Sequence, residues 1–243
     1  AMNSYFRDNG VIYKKNFFSK QLCNEAIEKI NEIESSIDSD KNEVGLVTEE
    51  IQGKHCSKYI QGLFKYDQVF RKFANSRLLS FVSELLNAEE VFLSEIEVHI
   101  RNPGGTSIPY HQDNFYFNLA NSKGVTCYVP LVEQDSSTGG LNYILKSHNR
   151  KTIQHSHSNM AAFSSEISED EIQELKSHNI LSPKFQPGDM TIHHPENIHY
   201  AHPAPLNSQR SMALSIRIFD VQEEVDQENF KKYKEFLNSN RSK

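Results

Sequence analysis

The hydrophobic period of this chain changes once, near residue 90, and that change limits the folds open to it. Before it, Leu22, Ala26, Ile27, Ile30 and Ile33 recur at helical spacing behind Ser19, a residue type suited to an N-cap. Residues 70–86 likewise set Phe70, Phe73, Leu78, Val82 and Leu86 along one helical side. From residue 91 to 100 the alternation is in twos, and Pro103-Gly104-Gly105 ends it. Further strands are expected at 115–119, 125–131, 141–145, 189–194 and 210–219. Residues 10–13 read as an extended piece and 38–54 as a polar loop. A charged helix is expected at about 226–237. The polar, acidic insertion 156–179, with a helix at 168–176, is a candidate lid or rim. Helices in front, six or more short strands behind and no βαβ alternation predict a mainly β fold with flanking helices. The preferred architecture is a double-stranded β-helix, or jelly roll.

At 243 residues the chain suits one domain. Its expected parts are a helical N-terminal region of about 1–90, a jelly-roll core of about 91–220 and a C-terminal helix of about 222–240. Twenty-six basic against 32 acidic side chains leave a net charge of −6 and no long basic block. That argues against phosphate-driven nucleic-acid binding and against a polybasic membrane anchor. No apolar run approaches the ~20 residues that span a bilayer, and the first residues lack the apolar core of a signal peptide. Cys23, Cys56 and Cys127 are odd in number and widely spaced, which argues against a disulfide framework or a zinc ribbon. The expectation is a soluble, cytoplasmic protein.

The chemistry concentrates in Pro109-Tyr110-His111-Gln112-Asp113. On an extended backbone His111 and Asp113 point to one face, where an imidazole and a carboxylate can bind one metal ion. The stretch from Gly188 to His199 can supply a third ligand, and two His plus one carboxylate form the facial triad of non-haem Fe(II) oxygenases. The alternative, a packed His beside a solvated Asp, stays open on spacing alone. Arg210 lies eleven residues after His199, ahead of the apolar alternation Met212, Leu214, Ile216, Ile218. Facing inward there, it would want a carboxylate partner, and a dicarboxylate chelating the metal at its other end would supply one. An internal Asp or Glu would serve equally.

Several segments together resemble the phytanoyl-CoA hydroxylase-like (phytanoyl-CoA dioxygenase) family of Fe(II)/2-oxoglutarate oxygenases. Residues 6–13, FRDNGVIY, resemble its opening, and 110–116, YHQDNFY, its H-Q-D signature. VPL at 129–131 and GGLNYILKSH at 139–148 resemble its strand pair, and GDMTIHHPENIHYAHPAPLNSQR at 188–210 its distal motif. The resemblance implies a cupin-like jelly roll with His111, Asp113 and His199 as iron ligands. It implies Arg210 as the 2-oxoglutarate-binding arginine, with Tyr128 beside the co-substrate, and O2 as the oxidant. Asp113 is the carboxylate that the family's halogenating relatives lack, so hydroxylation is the implied outcome, with release of succinate and CO2. The chain departs from the pattern at Leu145-Lys146, where Pro-Gly is usual, at Ala201, where Ser is frequent, and in the late position of Asn207.

Tyr110, Asn114 and Tyr116 are the expected substrate-facing residues. His193 and His194 are expected to pack or to support a ligand, and His155 and His157 to lie in a solvated loop. His99, Arg101 and Glu97 share a strand face, either as pocket lining or as an ionic row. No cationic run suits a CoA moiety, so the expected substrate is a small polar metabolite or biosynthetic intermediate. Three other readings remain: a non-oxidative cupin-like isomerase or lyase, a protein or peptide hydroxylase, and a binding module without turnover. Oligomeric state is not legible.

Overall fold

A computed structural model describes residues 2–37, 45–158, 165–175 and 177–241. In chain order its elements are α1 (Met2–Asn9), β1 (Val11–Lys14), α2 (Lys20–Ser36), β2 (Leu46–Ile51), β3 (Lys54–Ile60), α3 (Ser76–Leu86), β4 (Val91–Arg101) and β5 (Ile108–His111). There follow α4 (Asn114–Phe117), β6 (Gly124–Pro130), β7 (Asn142–Ile144), β8 (Ser156–His157), β9 (Ser165–Glu166), α5 (Glu169–Gln173) and β10 (Ile180–Leu181). β11 (Met190–His193), β12 (His199–Ala201), β13 (Ser211–Asp220) and α6 (Gln227–Arg241) complete them.

A seven-stranded sheet in the order β1-β11-β6-β13-β4-β3-β2 faces a four-stranded sheet, β10-β7-β12-β5, and β8 pairs with β9. The ladders between these strands are antiparallel, which is the jelly-roll arrangement the period of two predicted. The large sheet has two covered faces. Ile96, Val98, Leu214 and Ile216 meet Ile30, Phe73, Leu78 and Val82 in a helix-side core, whereas Ala213, Tyr128 and Ile108 pack between the sheets. Residue parity along β13 therefore decides between helix layer and barrel interior. Ser19 caps α2 by accepting from Leu22 N at 3.1 Å.

Two expected elements differ. Residues 115–119 are not a strand: α4 occupies this stretch and ends at Asn118, whose φ of 54° reverses the chain. The alternation of aromatics was misleading because Phe115 packs edge-on against Tyr233 and Phe236 of α6, a contact no local pattern encodes. The span 38–54 is not all loop either. Residues 38–44 lie outside the described residues, but β2 and β3 form a hairpin turning at Gln52-Gly53, both at positive φ (49° and 79°), as a two-residue hairpin turn requires. The region before residue 90 thus adds β1, β2 and β3 to the large sheet. Among the described residues no helix is long and apolar enough to cross a membrane.

Candidate metal centre and active-site cavity

His111 ends β5 and His199 begins β12, and the two are backbone partners in the small sheet. Their rings consequently lie side by side, with centroids 4.1 Å apart and planes tilted by 57°. The chain then leaves β5 through Gln112, whose N–H donates to His155 Nε2 (3.1 Å), while Asn114 N donates to the Pro195 carbonyl (2.7 Å). This turn, with Asp113 already in helical geometry (φ −61°, ψ −34°), brings the carboxylate back beside the imidazoles. Convergence comes from the turn, not from strand alternation.

Asp113 Oδ1 stands 3.5 Å from His111 Nε2 and 3.4 Å from His199 Nε2, and one ligand atom from each residue lies within 4.8 Å of the other two. All three are buried. His111 Nδ1 is 2.8 Å from the Pro109 carbonyl and His199 Nδ1 is 3.0 Å from that of Asn197. A carbonyl only accepts, so each Nδ1 carries the proton and each Nε2 turns a lone pair inward. The other carboxylate oxygen, Oδ2, receives Thr126 Oγ1–H at 2.8 Å and His193 Nε2–H at 2.8 Å. Those two donors leave Oδ1 to face the imidazoles.

The electrostatics agree with this assignment. Burial opposes charge on Asp113, yet the neighbouring imidazoles of His199 and His193, the latter donating to Oδ2, hold its carboxyl well below the usual range. Burial and the neighbouring ring of His199 push His111 down; burial and His193 do the same to His199. Two neutral imidazole nitrogens and one carboxylate oxygen thus converge with no proton between them. That donor set fits a divalent ion of the iron type and leaves further coordination positions open.

The triad opens on a cavity of about 720 Å³ between the sheets. Tyr128, Ile108 and Leu141 line its apolar side; Tyr59, Glu97, His99 and Arg217 line a polar one, with Tyr116, Phe117 and Tyr233 of α6 nearby. Glu97 accepts from Arg217 Nη2 at 2.8 Å and from the Tyr59 hydroxyl. Despite burial, Arg217 and His99 hold the Glu97 carboxyl below its ordinary range. The Arg217 guanidinium also lies over the Phe117 ring, 4.6 Å from its centroid. Arg217, Thr126 and Tyr233 were not singled out from the sequence. Arg217 and Thr126 share the inward parity of β13 and β6 with Ala213 and Tyr128, a signal readable only once the inner face is known.

Of the other expected site residues, Tyr128 and Tyr116 line the cavity; the Tyr128 hydroxyl donates to Gln134 Oε1 at 2.6 Å. Tyr110 and Asn114 do not line it. Tyr110 stacks on Tyr200 with centroids 4.0 Å apart, against a separate cluster around Ile167 and Ile198, because it has the parity opposite to His111 on β5. Asn114, the first residue of α4, is buried, and its Oδ1 accepts from Leu119 N (2.9 Å). His155 is not solvated: it is buried, stacks on Phe115 at 4.3 Å and accepts from Gln112. Ser158, at the edge of the insertion, lines the cavity; residues 159–164 and 176 lie outside the described residues.

Arg210 is the main correction. It shares the parity of Met212 and Leu214, so it projects toward the helix layer, where it pairs with Glu34 of α2 and donates from Nε to Asn102 Oδ1 at 3.4 Å. Ser211 takes the inward position instead, 3% exposed.

Across residues 6–210 the chain matches the sequence model of the phytanoyl-CoA dioxygenase (PhyH) family. It belongs to that family. No curated protein matches it by sequence. Among solved structures, the chain is similar to EctD from S. alaskensis (TM-score 0.73, 17% identity, 93% of this chain and 78% of that one). It is also similar to SnoN, a non-haem α-ketoglutarate-dependent epimerase of nogalamycin biosynthesis (0.71, 15%, 91% and 82%). AviO1 from Streptomyces viridochromogenes Tue57 shows a like fold (0.71, 12%, 91% and 95%).

Proposed function

We propose that this protein is an Fe(II)- and 2-oxoglutarate-dependent dioxygenase that hydroxylates a small polar metabolite or biosynthetic intermediate. The observation that carries the reading is the convergence of three proton-free donors, His111 Nε2, Asp113 Oδ1 and His199 Nε2, in the wall of a cavity. Membership in the PhyH family supports it. So do the relatives solved with bound groups: SnoN with Fe3+ and α-ketoglutarate, EctD with 2-oxoglutarate and 5-hydroxyectoine. When bound, the iron would couple decarboxylation of 2-oxoglutarate to succinate with oxidation of the substrate by O2.

The chain's own residues supply the rest. His193 and Thr126 orient the carboxylate, and the Pro109 and Asn197 carbonyls orient the imidazoles, so the donors are set before metal arrives. The apolar side, with Tyr128, Ile108 and Leu141, excludes water around the co-substrate. The polar side, with Tyr59, Glu97, His99 and Arg217, presents charged and hydrogen-bonding groups to the substrate, which favours a polar molecule over a fatty acyl chain. Substrate placement relative to the metal decides the outcome, and relatives named as an epimerase and a carbocyclase share this fold.

Anaerobic addition of Fe(II) and 2-oxoglutarate should produce a weak visible metal-to-ligand charge-transfer band, and His111→Ala should abolish it. Aerobic succinate release, stimulated by a substrate that gains one oxygen, completes the test. A wild-type protein that binds iron but shows neither band nor succinate contradicts the assignment.

A further inference from the structure

The polar side of the cavity carries an ion pair whose two charges are placed differently. Glu97 is 4% exposed. Arg217 Nη2 (2.8 Å) and the Tyr59 hydroxyl donate to it, and His99 Nε2 stands 3.7 Å away. Its oxygens are therefore taken up by the wall itself. The Arg217 side chain is 25% exposed and lines the cavity. A guanidinium has five N–H donors. Here Nη2 meets Glu97 and the group lies over the Phe117 ring; among the described residues its other N–H groups meet no acceptor. The second carboxylate of the lining, Asp113, is committed to Thr126 and the facing imidazoles. A partly desolvated guanidinium with open donors calls for an anion from outside the chain.

Strand register sets this group relative to the metal ligands. Arg217 is the Cα partner of Thr126 across β13 and β6, and Thr126 Oγ1 donates to Asp113 Oδ2. Ser215 is the partner of Tyr128, and Ala213 that of Pro130. The apolar side thus runs from the carboxylate toward the start of β13. Arg217 stands level with Thr126, about 7 Å along the strand from the Tyr128 level, so an anion on it leaves the apolar side free for 2-oxoglutarate. Among the described residues no other Arg or Lys lines the cavity. One cation, already half-compensated by Glu97, suits a singly charged carboxylate better than a phosphate group with a charge near −2.

We propose that the substrate bears a carboxylate and that Arg217 binds it beside the metal centre, with Glu97 fixing the guanidinium in place. The inference rests on the dioxygenase reading and names the substrate class of the same cavity.

The test uses the full chain under anaerobic conditions, loaded with Fe(II) and saturating 2-oxoglutarate. The probes are 4-fluorobenzoate and its neutral counterpart 4-fluorobenzamide, whose ring suits the aromatic wall of Phe117, Tyr116 and Tyr233. Fluorine NMR gives the affinity of each, and broadening by the paramagnetic metal places the bound probe in the cavity. Wild type should bind the carboxylate more tightly than the amide. Arg217→Gln should weaken 4-fluorobenzoate about 10- to 100-fold, the worth of a charged hydrogen bond, while 4-fluorobenzamide still binds and the 2-oxoglutarate charge-transfer band persists. If Arg217→Gln fails to fold, because Glu97 is left buried without its cation, the double variant Glu97→Gln with Arg217→Gln removes both charges and should show the same loss of preference. Wild-type protein without a preference for the carboxylate, or a preference that survives in the variants, overturns this inference alone. So does a loss of 2-oxoglutarate affinity in the variants, which would assign Arg217 to the co-substrate. A carboxylate preference that depends on Arg217, in wild-type protein that gives no band with 2-oxoglutarate, overturns the dioxygenase reading and upholds the carboxylate site.

Discussion

Thr126→Val is the sharpest probe of how the carboxylate is prepared. The substitution keeps the branched shape on β6 and removes one hydroxyl, the donor 2.8 Å from Asp113 Oδ2. Thr126 is 4% exposed, so no bulk water replaces the lost bond. A hydrogen bond to an ionised acceptor contributes about 1.5–3 kcal/mol. With only His193 left on Oδ2, Asp113 is freer to rotate Oδ1 away from His111 and His199. Metal affinity should fall about 10- to 100-fold, the range seen when a ligand loses its supporting partner. Chelator competition for Fe(II) under anaerobic conditions measures this, with urea unfolding of the metal-free protein as the parallel reading. Thr191→Val is the control. Its hydroxyl, buried on β11, meets Tyr143 at 2.6 Å and does not touch Asp113, so it should cost about 1 kcal/mol of stability with metal affinity unchanged. Equal metal affinity in wild type and Thr126→Val would refute the orienting role.

Two further predictions concern stability. Gly188 sits at φ 89°, and a Cβ on it would come within 2.1 Å of the Phe18 carbonyl oxygen, so Gly188→Ala should cost about 3 kcal/mol or more in urea unfolding; a change below about 1 kcal/mol would show the turn to be adaptable. His194 is pushed down to about 3, first by burial and then by His148 and His193, so below pH 6.5 the unfolded chain binds the proton and the folded one does not. Stability should therefore fall as pH drops from 6.5 toward 3, by at most about 5 kcal/mol from this residue given its partial exposure. His194→Gln should flatten the pH dependence of the urea midpoint in that window.

Much of the fold was legible because the period of two reports directly which residues share a face. The strands at 125–131, 189–194 and 210–219 appear within a residue or two as β6, β11 and β13. Periodicity fails where a contact distant in sequence sets the conformation. The aromatics at 115–117 read as a strand but form α4 against α6, and the hairpin at 46–60 is held by pairing of β3 with β4. His111, Asp113 and His199 were nameable because short spacing and residue type carry the chemistry. Tyr110 and Asn114 were misplaced because proximity in sequence to a ligand says nothing about which side of the backbone faces the cavity.

By itself, then, the sequence determined the alternation that builds two sheets and the identity of the three candidate ligands. It could not say which parity of a strand faces the barrel, since both faces of the large sheet are covered. Only the tertiary structure decided that even residues of β13 meet the helices and odd ones the cavity. That choice sends Arg210 outward to Glu34 and leaves Arg101 and Arg217 on the inner face, because a strand offers each face only every second side chain.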